Sequence, residues 1–472
     1  METKTLTPPL RDHAVSVREK IAYGLGDAAS SMLWKIFGMY LLFFYTDIFG
    51  VAAGAVGTMF LITRIWDAAN DPIMGILGDK TTTRWGKFRP YLLWMAVPFG
   101  LIGVLTFASP EMADRYKIIY AYVTYSLMMM VYTAINVPYS SLLGVMTDDP
   151  KTRTSLASFR FIFAFAGSIL VLAIVEPLVK FFEQQHSPQL AWRYTLMIVG
   201  VIVSSLFLLT FLGTKERVAP LKQESNIRQD LKDLGKNREW FLLLGAGISS
   251  LIFNSIRDGA AIYYFKYFIS HGNELSLMGF HFTLSAGFLM LGQAANLLGV
   301  ILAAPIANKF GKKSTFMMAM FVAAVLSFAF YQLNADQLMG IFILQAIISC
   351  FAGMVFPLMW SMYADIADYS ELKTSRRATG LIFSSSSMSQ KMGWTIGGAL
   401  SGWLLAYYNF EANQVANEET LSGIKMMMSI IPAIGAMLSI IFLIPYKLSD
   451  RFMSDVSKEL QTQRQSLATE EI

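Results

Sequence analysis

Residues 51–78, VAAGAVGTMFLITRIWDAANDPIMGILG, form an apolar stretch long enough to cross a bilayer, yet they carry Arg64, Asp67, Asn70 and Asp71. A charge at the centre of a bilayer helix costs about 2.5–3.5 kcal/mol on insertion scales. Such residues are expected to face a protein interior or a watery cavity and to mark an ion or substrate path. Asp67 and Asp71 stand at i and i+4, so both carboxylates emerge on one face of a helix, with Arg64 one turn before Asp67. Two ionised acids that close repel each other in a low dielectric, unless a bound cation or a shared proton compensates. Pro72 follows directly, disfavouring regular helix at Asp71 and offering a backbone position that helps coordinate an ion. The competing explanation is a structural ion-pair knot with Arg64, Lys391 or Arg160. Two acids exceed what Arg64 alone requires, which favours a cation site.

The rest of the chain says what kind of membrane protein owns that segment. Of 472 residues, 54% are hydrophobic and 15% charged, with a mean hydropathy of +0.47. Soluble domains carry about 25% charged residues. A β-barrel is excluded, because its strands alternate in segments of about 10 residues rather than running apolar for 20. The single cysteine, Cys350, lies in an apolar segment and rules out a disulfide framework. His13, His186, His271 and His281 show no paired or HExxH spacing, which argues against a metalloenzyme and for a protein without cofactor. No short apolar region with a cleavage site follows the polar first 20 residues, so the first span is expected to act as its own insertion signal.

Apolar windows predict spans near 22–49, 54–78, 90–108, 117–145, 156–178 and 193–213, then near 240–268, 280–307, 314–332, 338–364, 379–408 and 424–446. The predicted organisation is a cytoplasmic segment 1–20, a six-helix bundle 21–213, a charged linker 214–238, a second bundle 239–446 and a cytoplasmic tail 447–472. With both termini inside, about 27 Lys and Arg fall in cytoplasmic segments and about 6 in or beside outer loops, which fixes the orientation and accounts for the net charge of +5 without a nucleic-acid partner. The halves also rhyme: basic turns follow the second span (Lys80, Arg84, Lys87) and the eighth (Lys309, Lys312, Lys313). Acidic-basic turns follow the fourth (Asp148, Asp149, Lys151, Arg153) and the tenth (Asp365, Asp368, Lys373, Arg376). Matching turns predict a duplicated bundle with its site between the halves. The turns themselves read as charge anchors at helix ends.

The segments Tyr45-Thr46-Asp47, Arg64 to Pro72 (RIWDAANDP), Arg84 to Pro90 (RWGKFRP) and Ala364 to Tyr369 (ADIADY) resemble the glycoside–pentoside–hexuronide:cation symporters, the melibiose-permease-like family of the major facilitator superfamily. The resemblance implies an all-α membrane protein with twelve transmembrane helices in two pseudo-symmetric six-helix bundles, the major facilitator fold. It implies symport of a sugar, oligosaccharide or glycoside with Na+ or H+ by alternating access, in the cell's inner membrane, by a carrier that works as a monomer. The cation ligands it implies are Asp67, Asp71, Thr133 and Asn136, with Lys391, Arg64 and Arg160 as charge partners. For the substrate it implies positions Asp27, Ser31, Lys35, Asn136, Ser140, Arg160, Phe356, Ser387, Gln390 and Lys391. Ser31, Asn136 and Ser140 depart from the acids and the aromatic of the namesake, which sets galactoside specificity aside.

Residue chemistry supplies further expectations. Lys391 needs an anion at membrane depth, and the second-span acids are the favoured partners, with the ammonium filling the cation site when it is empty. Asn136 suits a pair of sugar hydroxyls or, alternatively, an interhelical hydrogen bond. Asp27, Ser31 and Lys35 share one helix face, and Lys35 is either a counter-ion for an anionic substrate such as a hexuronide or half of an ion pair. Arg257-Asp258 raises the same question from the other half. Trp34, Trp360 and Trp394 read as core or as stacking faces for a pyranose. The runner-up function is a proton- or sodium-coupled carrier of a non-sugar amphiphile such as a lysolipid. A membrane-embedded enzyme is disfavoured, since no nucleophile–base pair stands at membrane depth.

Overall fold

The computed structural model describes residues 15–147, 150–217, 235–269, 274–277, 280–374, 379–450, 452–456 and 459. In lipid each backbone N–H and C=O must be satisfied within the segment, so the long apolar stretches fold as helices. The first half holds α1 (Val17–Phe43), α2 (Ala53–Lys80), α3 (Arg89–Thr106), α4 (Asp114–Met146), α5 (Pro150–Glu183) and α6 (Pro188–Gly213). The second holds α7 (Arg238–Tyr263), α8 (Leu284–Phe310), α9 (Lys312–Tyr331), α10 (Leu338–Thr374), α11 (Thr379–Tyr407), and α12 (Glu418–Met428) with α13 (Ile430–Leu443), which together make the last span. Ten spans among the described residues are long and apolar enough to cross a membrane. The other two, α2 and α11, have 28 and 29 residues, about 40 Å at 1.5 Å per residue, and bear the polar site.

The expected all-α class holds, with one short addition: β1 (Glu274–Leu277) and β2 (Phe280–Thr283) pair antiparallel ahead of α8. One local expectation is not met: Pro72 does not break its helix, because α2 runs unbroken from Ala53 to Lys80. Proline is tolerated inside bundle helices where neighbouring helices and local adjustment satisfy the freed carbonyl. Pro138 in α4, Pro177 in α5 and Pro357 in α10 behave alike.

The two halves repeat each other at the end that carries α1's start, the linker and α13's exit. Ser16 caps α1 through Glu19 N, and Asn237 caps α7 through Trp240 N. Both first helices finish in a π-helical turn, Phe44–Ile48 and Tyr264–Ile269. Glu19 accepts from Lys215 N at 3.1 Å and from both Arg217 Nη atoms at 2.7 Å, just past α6. Those hydrogen bonds push the Arg217 guanidinium above its usual pKa. In the second half Glu239 accepts from Lys447 N at 2.8 Å, just past α13. Glu216 accepts from the backbone of Lys87, Phe88 and Arg89 at the start of α3, and Asp450 from Lys312 N at the start of α9. Carboxylates are favoured there because a helix N-terminus presents unpaired N–H groups and the positive end of its dipole. The basic turns thus anchor helix ends, within their own half.

Between the halves, described contacts run at mid-depth and at the opposite, far end. α2 packs on α11, α5 on α8 and α1 on α7. Small residues let α2 and α11 approach closely: a Cβ on Gly402 would lie 2.6 Å from Ala53 O. Asp47, at the far end of α1, accepts from Lys266 Nζ at 2.6 Å, from Thr46 Oγ1 at 2.7 Å and from Tyr267 OH, while its carbonyl accepts from Asn413 Nδ2 at 2.6 Å. Glu176 of α5 accepts from Tyr40 OH at 2.9 Å and from Ser285 Oγ of α8 at 3.1 Å.

Gly86 and Gly311 occupy equivalent turns before α3 and α9, with φ of +111° and +86°. A Cβ on Gly86 would run into the Glu216 carboxylate, and one on Gly311 would lie 2.7 Å from Asp450 Oδ2. Gly86→Ala and Gly311→Ala should each cost about 1–3 kcal/mol, seen as a lower thermal unfolding midpoint in detergent. Gly144→Ala, whose Cβ meets nothing within 4 Å, should leave the midpoint unchanged or raise it. Equal midpoints for all three would contradict this account of the turns.

Candidate functional site

Among the described residues, three ion pairs between helices stand out. The first centres on Asp67, which α2 holds at 1% exposure. Thr133 of α4 donates to its Oδ1 at 2.8 Å, and Lys391 Nζ of α11 lies 3.5 Å from its Oδ2. Each carboxylate oxygen thus meets a partner from a different helix, and one of those helices belongs to the other half. Asp67, Thr133 and Lys391 come together as the sequence predicts. The side chains of Arg64, Asp71 and Ser387 lie outside the described residues.

Asn136, one turn after Thr133 on α4, takes another direction. Its Oδ1 accepts from Ser30 Oγ of α1 at 2.8 Å, and its Nδ2 donates to Tyr132 O at 3.1 Å. The interhelical reading of this residue therefore describes it better than a ligand role beside Asp67. An amide at bundle depth bonds to the nearest polar partner on a packed helix.

The second grouping joins α1, α4 and α5. The Arg160 guanidinium grips Asp27 with two nitrogens, Nε to Oδ2 and Nη2 to Oδ1 at 3.3 Å. Its carbon lies 4.9 Å from the Tyr139 ring centre and 5.7 Å from that of Tyr23. The two tyrosines close the cage, for Tyr139 OH donates to Tyr23 O at 2.6 Å. A guanidinium suits this place because its planar fork matches a carboxylate and its face stacks on aromatics. Arg160 thus pairs with Asp27, on a different helix from Asp67. Sequence reasoning passed over Tyr23 and Tyr139, which no charge or motif marks.

The third grouping crosses between halves. Lys35 Nζ lies 3.2 Å from Asp258 Oδ2 and 5.4 Å from the Trp394 ring centre. Asp27 and Lys35 share a helix face yet serve different partners. Ser31, between them, is half-buried, as are Gln390 beside Lys391 and Phe356 on α10. Ser140 is exposed. Trp34 packs at a tilt against Tyr132, with ring centres 5.1 Å apart. Asp47 and Glu176 were also missed as contact points between halves, although each is an acid in an apolar run, the signal that singled out Asp67.

Chemically, the Asp67 grouping offers a carboxylate and a hydroxyl oxygen, the hard donors that hard cations take. It also contains a tethered ammonium in position to neutralise the acid. The arrangement can exchange one positive charge for another without leaving the carboxylate bare.

The family model described as "MFS/sugar transport protein" matches residues 22–450. The chain is 36% identical to the "Inner membrane symporter YicJ" of Escherichia coli (strain K12) over 460 residues, covering 97% of this chain and 96% of the relative. It is 33% identical to the "Isoprimeverose transporter" of Lactiplantibacillus pentosus, covering 96% of this chain and 94% of the relative. Among solved structures it resembles the nucleoside transporter NupG (D323A mutant), with a TM-score of 0.66 at 15% identity, over 91% of this chain and 100% of that one. At that identity the likeness speaks for the fold alone.

Breaking a fully buried ion pair by removing one partner costs about 3–5 kcal/mol. The Arg160 and Asp27 side chains are 24% and 16% exposed, so the loss expected for Asp27→Asn is reduced by solvent screening to about 2 kcal/mol. The readout is a lower unfolding midpoint in detergent, partly restored in the double variant Asp27→Asn/Arg160→Gln. A single variant as stable as the wild type would remove the pair from the structural account.

Proposed function

This chain belongs to the MFS/sugar transport protein family, and from that premise we propose that it imports a sugar or glycoside together with one monovalent cation, Na+ or H+, by alternating access of its two halves. It is a multi-pass membrane transporter and not an enzyme. The observation that carries the coupling is Asp67, buried and shared between Thr133 of its own half and Lys391 of the other.

The chemistry runs as follows. Without a cation, the Lys391 ammonium neutralises Asp67 and ties α2 to α11. Two unit charges at such spacing attract by about 4 kcal/mol at an effective dielectric near 20. A proton on Asp67, or an ion between Asp67 and the Thr133 hydroxyl, removes the reason for the pair and releases Lys391. The cross-half tie is then weaker when the cation is bound, so cation occupancy and the reorientation of the halves depend on each other. That dependence is reciprocal and is typically worth 1–3 kcal/mol.

The cargo we favour is neutral. Lys35 already meets Asp258, and Arg160 already meets Asp27. A hexuronide would bring an anion to two cations that have their acids, at the cost of an unmatched charge at mid-depth. The isoprimeverose transporter among its relatives supports a sugar over a lysolipid. The skew of Lys and Arg supports both termini in the cytoplasm, which would turn the far-end Asp47 cluster outward, and the inner-membrane relative supports that location for a monomeric carrier.

Uptake by proteoliposomes under an imposed Na+ or pH gradient tests the reading, with neutral and acidic sugars as cargo. Asp67→Asn should lose accumulation against a gradient by at least about tenfold while sugar exchange at equilibrium persists. Lys391→Val should lower the accumulation ratio more than the yield of folded protein. Full concentrative uptake by Asp67→Asn would overturn the cation assignment.

A further inference from the structure

Glu176 is an acid in an apolar span, like Asp67, but the groups it meets are of another kind. It stands on α5 within the span Ser155–Glu183, half-buried where α5 packs on α8 of the other half. Its Oε1 accepts from Tyr40 OH of α1 at 2.9 Å, and Ser285 Oγ of α8 lies 3.1 Å from Oε1 and 3.2 Å from Oε2. Among the described residues its bonds are to these hydroxyls and to no base. Asp47, at the same end of the seam between the halves, has the Lys266 ammonium at 2.6 Å. A carboxylate taken out of water without a base is costly to bury, and a proton removes that cost.

The hydroxyls serve either form of the acid. When it is ionised, Tyr40 and Ser285 both donate to it. With a proton on Oε2, the acid donates to Ser285 Oγ, whose own hydrogen turns to Thr283 Oγ1 at 2.9 Å, and Tyr40 keeps its bond to Oε1. Thr283 caps α8 and Ser285 lies in its first turn, where the helix dipole favours an ionised acid by about 0.3–1 kcal/mol. That is smaller than the penalty of several kcal/mol for an ion leaving water. Of the charged groups nearby, Lys180 stands one turn further along α5, with Glu183 beyond it, and Lys266 acts on Glu183. Lys35 of α1 pairs with Asp258, Arg193 of α6 acts on Tyr120 of α4, and His186 packs edge-on against Tyr194 of α6.

We propose that Glu176 is a second proton-binding site, separate from Asp67, which takes a proton from the outer medium when the halves are apart at this end and carries it as a neutral acid into the closed seam. The inference rests on the alternating access and the orientation proposed above, and adds a group through which external pH governs closure. The proton comes from outer water, forms an O–H bond at Oε2, and returns to outer water when the seam opens. It therefore sets the closing step without crossing the membrane. The closed arrangement holds one more proton than the open one, so closure is favoured as external pH falls.

Spin labels on Gln185→Cys and Gln332→Cys, in a Cys350→Ser chain, report the opening, since both residues are exposed at the outer end, one in each half. Asp67→Asn is added so that the other acid does not titrate. In detergent, the ratio of closed to open populations should rise about threefold to tenfold as pH falls from about 8 to about 5, the response to a proton affinity up to about tenfold higher in the closed arrangement. Glu176→Gln should hold the ratio at its acid value throughout. Glu176→Leu should flatten it too, and serves if the amide variant folds poorly. A pH response that persists without Glu176, or none before it is replaced, overturns the site and leaves sugar transport standing. Labels that also stay fixed with Na+ and sugar present, in a chain that keeps Asp67, overturn alternating access as well.

Discussion

An ionised side chain inside a bilayer is costly unless it meets an opposite charge or hydrogen-bond partners, and three acids within the helices of this protein each meet a base. Asp27 has Arg160, Asp67 has Lys391, and Asp258 has Lys35. These pairs differ in what they join. Asp27 and Arg160 bind α1 to α5 inside one half, with two tyrosines closing over the guanidinium. The other two run from one half to the other. A pair within a half ties the helices of that half together, whereas a pair across the boundary ties one half to the other.

The ends of the bundle divide in the same way. At the end carrying α1's start and α13's exit, Glu19, Glu216, Glu239 and Asp450 bond to backbone and side-chain groups of their own half, so α1, α3, α7 and α9 are fixed relative to the last helix of each. At the far end Asp47, Lys266, Tyr267 and Asn413 bridge the two halves. The Asp47 carboxylate is buried there and takes the Lys266 ammonium in an ion pair between the halves, with Tyr267 and Asn413 beside it.

The spans were legible in the sequence because a bilayer imposes a length on an apolar run, and that length is independent of what the helix packs against. The eleventh span, read as 379–408, is the helix Thr379–Tyr407. The pairing of β1 with β2 was not legible, since four-residue strands in a connecting loop leave no apolar run to measure. Pro72 misled for a related reason. Its local preference is against regular helix, and the surrounding bundle overrides it, as it does at Pro138 and Pro357. At the site, Asp67, Thr133 and Lys391 stand together as expected. Asn136 turned to Ser30, and Lys35 found Asp258 in the other half.

By itself the sequence determined that this chain spans a membrane many times, where its helices lie, and that acids and bases at mid-depth must be paired, because hydrophobicity and charge are properties of residues taken singly. Only the tertiary structure decided which acid meets which base and which contacts cross between halves. Those outcomes depend on the rotation and depth of one helix against another, quantities set by packing across the whole bundle and written in no local stretch of residues.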